Sequence, residues 1–235
     1  MLIYPAVVLV IMAGIFVLGL LILGVAAVII LELALAAVLG WMLWFFRDPA
    51  RCVPDEENLL VAPADGRITD IELVEEKSFI FGRALRIGIF LSVFDVHINR
   101  SPCAATVEKI TYKPGRFKNA ISPESARVNE SNDLHLVRKA YPNQRLLLRQ
   151  ISGAIARRIV CKTQKGNSLA AGEKFGMIKF GSRTELYLPA DKAARTLVSI
   201  GEKVYAGKTP LVRYETAQSK PGWQKDNQQT VSKGA

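Results

Sequence analysis

The N-terminal fifth of this 235-residue chain constrains the fold more than any other part. From Pro5 to Phe46 the only ionisable side chain is that of Glu32. About 20 apolar residues cross the hydrocarbon core of a bilayer, and this run is about twice that length. A helix of a soluble domain needs a polar face, which the run lacks. We therefore expect residues 1–46 to be a helical membrane segment, with either two spans that turn near Gly24 or one span and an interfacial helix.

Basic and aromatic residues mark the end of the apolar run. Arg47 and Arg51 follow it, and the chain has a formal net charge of +10. Trp41, Trp44, Phe45 and Phe46 stand where aromatic side chains are expected to meet lipid headgroups. Lys and Arg are enriched on the cytoplasmic side of membrane proteins. The pattern predicts a cell-membrane protein whose remaining domain lies on the cytoplasmic side, next to anionic lipid. The sequence has no zinc-ligand spacing and no ribonucleoprotein motif, so neither a metal site nor nucleic-acid binding is expected.

Residues 47–216 have the pattern of one β-rich domain. Short apolar or alternating segments are separated by turn residues, which is typical of antiparallel sheets and not of βαβ units. The predicted strands are 58–62, 67–74, 84–93, 106–112, 145–151, 154–161, 175–180, 184–188, 196–200 and 210–214. We expect 145–151 and 154–161 to pair around Gly153, and residues 114–133 to form a long loop. The polar residues 217–235 are expected to be a disordered tail.

The dipeptide Gly181-Ser182 lies in a tight connection between two predicted strands. A Gly there can adopt a strained backbone conformation and expose its carbonyl group to the hydroxyl group that follows. Attack by Ser182 Oγ would turn the amide into an ester, and elimination would leave dehydroalanine, which hydrolyses to a pyruvoyl group. This chemistry needs a base near Oγ and donors for the oxyanion. An ordinary Gly–Ser turn without chemistry is the alternative.

Three side chains upstream are candidates for acid–base work. Asp65 lies in the turn sequence Pro63-Ala64-Asp65-Gly66. Asp95 and His97 would point to the same face of an extended segment, where a carboxylate can fix the imidazole tautomer and raise its basicity. A surface Asp–His pair is the alternative for these two residues. The second histidine, His135, lies in a polar, irregular stretch and is expected at the surface.

Four motifs occur in an order that points to a known family. They are Phe45-Phe46-Arg47-Asp48-Pro49, Pro63-Ala64-Asp65-Gly66, Phe94-Asp95-Val96-His97 and Lys174-Phe175-Gly176-Met177-Ile178-Lys179-Phe180-Gly181-Ser182. With them the chain resembles the phosphatidylserine decarboxylase proenzymes, in particular their short form, over nearly its whole length. The resemblance implies cleavage between Gly181 and Ser182. A β chain, residues 1–181, and an α chain, residues 182–235, would remain together as a heterodimer, with higher oligomers left open.

The resemblance also implies the reaction and the roles of the candidate residues. Ser182 becomes a pyruvoyl group, the amine of an anionic serine lipid forms a Schiff base with it, and the carboxylate leaves as CO2. The product is phosphatidylethanolamine or an ether-lipid analogue, since the headgroup chemistry is the same for acyl and isoprenoid tails. Asp65 matches the acidic member of the self-cleavage relay. His97 matches the histidine tied to decarboxylation or its protonation step, and Asp95 would orient His97.

Two positions depart from the family pattern. Longer members carry a second histidine three positions after the one that matches His97, where it acts as the base in self-cleavage, and this chain has Arg100 there. Either His97 serves both reactions or Asp65 acts more directly. Arg183 follows the nucleophile where many relatives have Thr. Its guanidinium is expected to bind a phosphate or the substrate carboxylate, or to be a surface residue.

Two other classes of protein share some of these features. A non-catalytic membrane anchor that presents a β-domain to anionic lipid or to a protein partner would explain the apolar run and the charge, but not the ordered motifs. A carrier-like β-domain modified on lysine would need a Met–Lys pair at a hairpin tip. Here Met177 and Lys179 are separated by Ile178. An anchor remains one chain and a proenzyme becomes two, so the intact mass distinguishes them.

Overall fold

The computed structural model describes residues 3–22, 24–118, 125–154, 158–179 and 181–215, and the tail predicted at 217–235 lies outside them. Two helices, α1 (Ile3–Ile22) and α2 (Gly24–Phe45), form the N-terminal part and contact each other. Their boundary falls where the sequence places a turn near Gly24. Among the described helices, the stretch Val25–Phe45 is long and apolar enough to cross a membrane, and Ala6–Gly19 is a shorter apolar helix.

The remaining described residues form fourteen strands and one short helix, α3 (Ser125–Val128). The strands are β1 (Leu59–Val61), β2 (Gly66–Glu76), β3 (Gly82–Leu91), β4 (Ile98–Arg100), β5 (Ala105–Lys113), β6 (Ser131–Arg138), β7 (Arg145–Ile151), β8 (Ile159–Cys161), β9 (Ser168–Leu169), β10 (Lys174–Ile178), β11 (Ser182–Pro189), β12 (Ala194–Thr196), β13 (Lys203–Val204) and β14 (Pro210–Tyr214).

The strands form one large sheet and two small ones. The large sheet has the order β13-β2-β3-β11-β7-β6-β5-β9, and the small sheets have the orders β4-β10-β8 and β1-β14-β12. Neighbouring strands are antiparallel in all three sheets. One core joins Leu186 of the large sheet to Phe175 and Val212 of the two small ones. The small sheets therefore pack on one face of the large sheet, and the prediction of an antiparallel β-rich domain after an apolar helical segment is confirmed.

The two faces of β11 differ because side chains alternate along a strand. Leu186 and Leu188 face the core. On the opposite face Arg183 donates a hydrogen bond to Glu185, and the Tyr187 hydroxyl donates another to the same carboxylate. A buried charge is tolerated when it is paired and hydrogen-bonded in this way. The face of the sheet away from the core is consequently polar, yet its side chains are largely buried by one another.

Several strand predictions are wrong in detail. The loop expected over residues 114–133 ends early, because β6 begins at Ser131. The segments 145–151 and 154–161 do not pair with each other, since β7 lies between β6 and β11, while β8 pairs with β10 in a small sheet. A strand predicted at 196–200 is replaced by β12, which ends at Thr196. Strand pairing depends on partners distant in sequence, and local periodicity does not contain that information.

The prediction that His135 lies at the surface is also wrong. His135 is buried in β6, its ring centroid is 4.7 Å from that of Phe79, and its Nε2 atom lies 3.3 Å from Thr111 Oγ1. The neighbouring Asp133 is paired with Arg149. Polar residues made this stretch look irregular, but the side chains of β5 and β7 cover and pair them.

Candidate active site

Two crossovers between the same pair of sheets lie side by side. Residues 92–97 lead from β3 of the large sheet to β4 of a small one, and residues 179–181 lead from β10 back to β11. The two crossovers are tied together at both ends. Ser182 pairs with Leu91, and the Ile178 N–H donates to the His97 carbonyl oxygen at 3.2 Å. This arrangement brings His97 to the Gly181–Ser182 bond.

Gly181 has a backbone conformation that favours glycine. Its φ is +64°, in the left-handed region that a side chain disfavours. Space is not the constraint, because a Cβ atom added there would meet only Val93, at 3.9 Å. The Gly181 N–H donates to His97 Nε2 at 3.2 Å. The backbone conformation of Gly181 and its hydrogen bond to the imidazole therefore both fix the residue that precedes Ser182.

Ser182 is the first residue of β11 and is 0% exposed. Its Oγ atom is buried and has no hydrogen-bond partner within the described part of the chain. Leaving a buried hydroxyl unpaired costs about 1–3 kcal/mol, and such atoms in folded proteins are uncommon. This hydroxyl directly follows Gly181, whose φ of +64° is disfavoured for any residue with a side chain.

His97 presents an unprotonated nitrogen to this bond. Its Nδ1 atom lies 2.8 Å from the Asp95 main-chain oxygen. A carbonyl oxygen can only accept, so Nδ1 carries the hydrogen and Nε2 carries the lone pair. Burial lowers the pKa of His97 to about 4, against the attraction of Asp95. The imidazole is consequently neutral at neutral pH, as a general base must be.

Asp95 lies in a turn and not in the extended segment that the sequence predicted. Its N–H donates to the Ser92 oxygen at 3.0 Å, and its carboxylate accepts hydrogen bonds from the N–H and hydroxyl of Ser92 and from Lys203. Burial would raise the pKa of this carboxyl, but the Lys203 and Ser92 donors lower it overall. The contact with His97 is made by the Asp95 carbonyl group, and the carboxylate fixes the turn that carries it.

Asp65 is buried on the connection between β1 and β2. It accepts hydrogen bonds from the Ala206 N–H at 2.8 Å and from Arg51 at 2.7 Å. In the described structure the Asp65 carboxylate bonds to these partners and not to His97 or Ser182. Burial raises the pKa of the Asp65 carboxyl, although Ala206 and Arg51 act against that rise. Repulsion from Asp95 raises it further, so the two carboxylates belong to one electrostatic environment.

Arg183 is buried on the face of β11 away from Ser182. Its guanidinium donates to Glu185 at 2.8 Å, to Thr69 at 2.7 Å and to Asp70. A Cβ atom added to Gly88 would lie 2.2 Å from this guanidinium, so Gly88 makes room for it. These contacts favour a role in holding β11 in the sheet over a role in binding substrate.

Arg100 contacts the connector that follows α2. Its guanidinium donates to the Gly172 oxygen at 3.0 Å, to Asp48 at 2.8 Å and to the Pro49 oxygen at 3.4 Å. The position where the resemblance places a second histidine therefore carries a cation that attaches the connector to the domain. Among the candidate residues Asp65, Asp95, His97 and Arg183, it is His97 whose side chain hydrogen-bonds to Gly181.

Sequence reasoning missed the side chains that surround the candidate residues. Asn99 donates to Thr184 Oγ1 at 3.1 Å and accepts from Gln150 at 2.8 Å, so an amide bridge joins the two sheets behind Ser182. Phe45 stacks on His97, with ring centroids 4.4 Å apart. Phe45 belongs to a motif that the resemblance singled out, but its position in the sequence predicted a contact with headgroups and not with His97. No local pattern pointed to Asn99 or Gln150.

The fold and the site define a β-rich protein with an apolar N-terminal helix and a buried Gly–Ser bond beside a neutral imidazole. Residues 38–212 match the phosphatidylserine decarboxylase family. The chain is 43% identical to the phosphatidylserine decarboxylase proenzyme of Rhodopirellula baltica over 210 residues, 82% of this chain and 87% of that protein. It is 45% identical to the proenzyme of the same name from Desulfotalea psychrophila, over 73% of this chain and 78% of that protein. The corresponding proenzyme of Symbiobacterium thermophilum is 47% identical, over 77% and 84%.

This chain belongs to the phosphatidylserine decarboxylase family, whose members are carboxy-lyases. The resemblance inferred from the four motifs is thereby confirmed.

Proposed function

We propose that the chain is a proenzyme that cuts its own Gly181–Ser182 bond and then removes CO2 from a serine-headed phospholipid. The pyruvoyl group that this reaction needs would be made from Ser182. The observation that carries the proposal is the buried Ser182 Oγ atom, which has no hydrogen-bond partner among the described residues and follows a glycine with φ of +64°. Family membership supports phosphatidylserine as the substrate. An ether-lipid analogue would present the same headgroup.

His97 Nε2 is the base that the geometry supports for self-cleavage. Ser182 Oγ bonds to the Gly181 carbonyl carbon, and its proton passes to Nε2 after the Gly181 N–H has released the single lone pair of that nitrogen. As the C–N bond breaks, the proton moves to the Ser182 nitrogen, which leaves an ester between Gly181 and the Ser182 side chain. In the uncut chain the 3.2 Å hydrogen bond from the Gly181 N–H holds Nε2 beside the residue that precedes Ser182.

The ester then opens by elimination. Loss of the Ser182 Cα proton breaks the Cβ–Oγ bond, releases Gly181 as a carboxylate and leaves dehydroalanine. Addition of water and loss of ammonia convert dehydroalanine into the pyruvoyl group. No external oxidant or reductant is needed, since the electrons of the broken bond leave with the carboxylate oxygen.

The residues around Ser182 fit a small covalent group at the start of β11. The pyruvoyl group supplies an electron sink when the substrate carboxylate departs. The main chain there pairs with Leu91, and the Asn99–Thr184 bridge lies on the core side. After cleavage His97 Nε2 no longer has the same hydrogen bond to Gly181. We assign to this nitrogen the delivery of the proton that replaces CO2 on the substrate. The Asp95 carbonyl group keeps the tautomer that this task requires.

Asp65 is assigned to the self-cleavage relay through its environment. Its raised pKa makes it easier to protonate than an ordinary carboxyl group. Its bond to Arg51 also attaches the connector beside the site. An Asp65→Asn variant, which keeps the shape and loses the charge, should slow self-cleavage more than it lowers stability.

The strand order supports a stable pair of chains after cleavage. Strand β11 would begin the α chain, yet it pairs along its length with β3 and β7 of the β chain. Strands β13 and β14 of the α chain likewise pair with β2 and β1. The two products therefore share every sheet to which the α chain contributes. In the uncut chain both Ser182 and His97 are 0% exposed, so cleavage is also a means of opening the site.

Membrane attachment supports a lipid substrate. The helix Val25–Phe45 ends directly at the connector that contacts the site, so the headgroup layer and the site would be close. Arg47 and the basic domain favour the cytoplasmic face by the positive-inside bias. Anionic serine lipid would be attracted to such a surface.

Intact mass spectrometry of the purified protein tests the proposal. We expect two fragments that break at Gly181–Ser182, the smaller one blocked by pyruvate, and an uncut Ser182→Ala chain. Ser152→Ala is the matched control, because Ser152 Oγ is also buried without a partner in the described structure but should not affect cleavage. The cut protein should release CO2 from phosphatidylserine vesicles and none from phosphatidylglycerol vesicles. A folded wild-type chain that stays in one piece would refute self-cleavage and leave the non-catalytic anchor.

A further inference from the structure

The last residue of α2 lies in the site and not in the lipid. Phe45 is 0% exposed, whereas Leu43, two residues earlier on the same helix, is 57% exposed. The ring centroids of Phe45 and His97 are 4.4 Å apart, with an angle of 33° between the planes. Trp41 and Phe46 flank Phe45, with centroids 5.5 Å and 5.0 Å away. One side of the His97 ring is therefore covered by the membrane helix.

The connector after α2 attaches to the domain at three further points. Arg47 donates to the Phe94 carbonyl oxygen at 2.8 Å, in the turn next to Asp95. Asp48 is paired with Arg100 and Lys174. Arg51 is paired with Asp65. These contacts connect the end of the membrane helix to the residues assigned to chemistry, and they fix where Phe45 sits.

We propose that Phe45 is a positioning residue for His97, and that through it the C-terminal end of α2 forms one wall of the active site. The effect on the His97 ring follows from the geometry alone, whereas its consequence for the reaction rests on the proposed function. The membrane helix then has a second task besides attachment, because the catalytic imidazole depends on its last turn.

The physical reason is exclusion of water from one face of the imidazole. An aromatic ring over a buried histidine keeps water away from it, and this loss of hydration disfavours the charged form. The contact also restricts the tilt of the imidazole ring. The charged groups nearest His97 are Asp95, which favours the charged form, and Arg47, which disfavours it. Without Phe45, water would reach the ring and the His97 pKa would rise from about 4 toward its ordinary value of 6.5. Nε2 would also lose its fixed direction toward Gly181.

Histidine NMR in detergent micelles tests this directly, since the chain has two histidines. All samples carry Ser182→Ala, so that the chain stays uncut, and His135→Asn assigns the two signals. We expect Phe45→Ala to raise the His97 pKa by about 1–2 units toward the ordinary value. Leu43→Ala, an exposed position on the same helix, should leave it unchanged. An unchanged His135 signal shows that the domain has kept its fold.

A second pair of variants keeps the test decisive if Phe45→Ala disturbs folding. Phe45→Leu and Phe45→Gln are similar in size, but only Leu excludes water. The His97 pKa should stay low with Leu and rise with Gln. With Ser182 intact, we expect Phe45→Gln to slow self-cleavage on the order of 10- to 100-fold, as misplaced catalytic groups do, and Phe45→Leu to retain most of the rate.

The outcomes separate this inference from the proposed function. A His97 pKa that is the same in folded wild-type, Phe45→Ala and Phe45→Gln chains would overturn the positioning role, whether or not the protein cuts itself. A His97 pKa that rises in the Phe45→Ala and Phe45→Gln chains, together with a wild-type protein that never cuts itself, would uphold the wall formed by α2 and refute the proposed self-cleavage instead.

Discussion

The Gly181 N–H donates to Nε2 of His97 at 3.2 Å, although 84 positions separate the two residues in the sequence. Because Nε2 is also the unprotonated nitrogen, we predict that His97→Ala slows self-cleavage by about 10²–10⁴-fold, the usual contribution of a general base. The measurement is the fraction of uncut chain over time on a denaturing gel. His135→Ala is the matched control and should cut at the normal rate. Equal rates for the two variants would remove His97 from the reaction.

The low pKa of His97 predicts an unusual pH dependence. A base works in its neutral form, and burial keeps His97 neutral until the pH falls to about 4. Self-cleavage should therefore be constant from about pH 8 to about pH 5 and decline only near the folded pKa, not near 6.5. The free energy of unfolding changes with pH in the same direction as the cleavage rate. The unfolded chain binds the proton near pH 6.5 and the folded chain near pH 4, so stability decreases as pH falls between these values. A rate that halves near pH 6.5 would contradict this prediction.

The left-handed conformation of Gly181 predicts that a side chain there is harmful. Gly181→Ala would have to keep a φ of +64°, at a cost of roughly 1–2 kcal/mol, or relax and move the carbonyl group away from Ser182 Oγ. We expect cleavage to slow about tenfold or more. Gly166→Ala is the control, because Gly166 has a φ of +89° with open space around it and lies outside the site. If backbone strain alone mattered, both variants would cut more slowly to the same extent. If the position of the Gly181 carbonyl group matters, only Gly181→Ala is slowed.

Substitution of Arg183 distinguishes a role in binding substrate from a role in stabilising the fold. Its guanidinium is buried between Glu185, Thr69 and Asp70. Arg183→Met removes the ion pair of Glu185, whereas Asp70 keeps its pair with Arg86. Breaking a buried pair in this way costs about 3–5 kcal/mol. We expect a clear fall in thermal stability, with an unchanged KM for phosphatidylserine in the fraction that folds. Normal stability with a raised KM would instead establish the phosphate or carboxylate contact expected from the sequence.

Shared sheets predict that the two products stay together. Strand β11 pairs with β3 at eight positions and with β7 at five, so separating the chains means unfolding the large sheet. The fragments of the cut protein should co-elute in size-exclusion chromatography in detergent until the denaturant concentration at which the fold is lost. Release of the small fragment below that concentration would show that the pairing of β11 is weaker than the structure indicates.

The sequence by itself determined the features that depend on local composition. An apolar run with one ionisable residue predicted an apolar helical segment, and the described structure has a helix at Val25–Phe45 that is long and apolar enough to cross a membrane. Alternating apolar residues between turns specified short antiparallel strands, and most of the predicted strands overlap the observed ones. Gly181 and Ser182 were recognisable as candidates because the proposed self-cleavage requires a serine directly after a glycine.

Only the tertiary structure decided which distant residues meet. Strand β6 was missed, and His135 with it, because its polar residues are buried by side chains of neighbouring strands. Asp95 was expected in an extended segment but lies in a turn with Ser92. Its carboxylate is paired with Lys203, which is 108 positions away in the sequence. Arg51 reaches Asp65, and Phe45 covers His97, only after the connector has docked on the domain. Those contacts form where the chain crosses between two sheets beside the end of the apolar helix α2. The spacing of residues along the sequence does not give the distances between them in the fold.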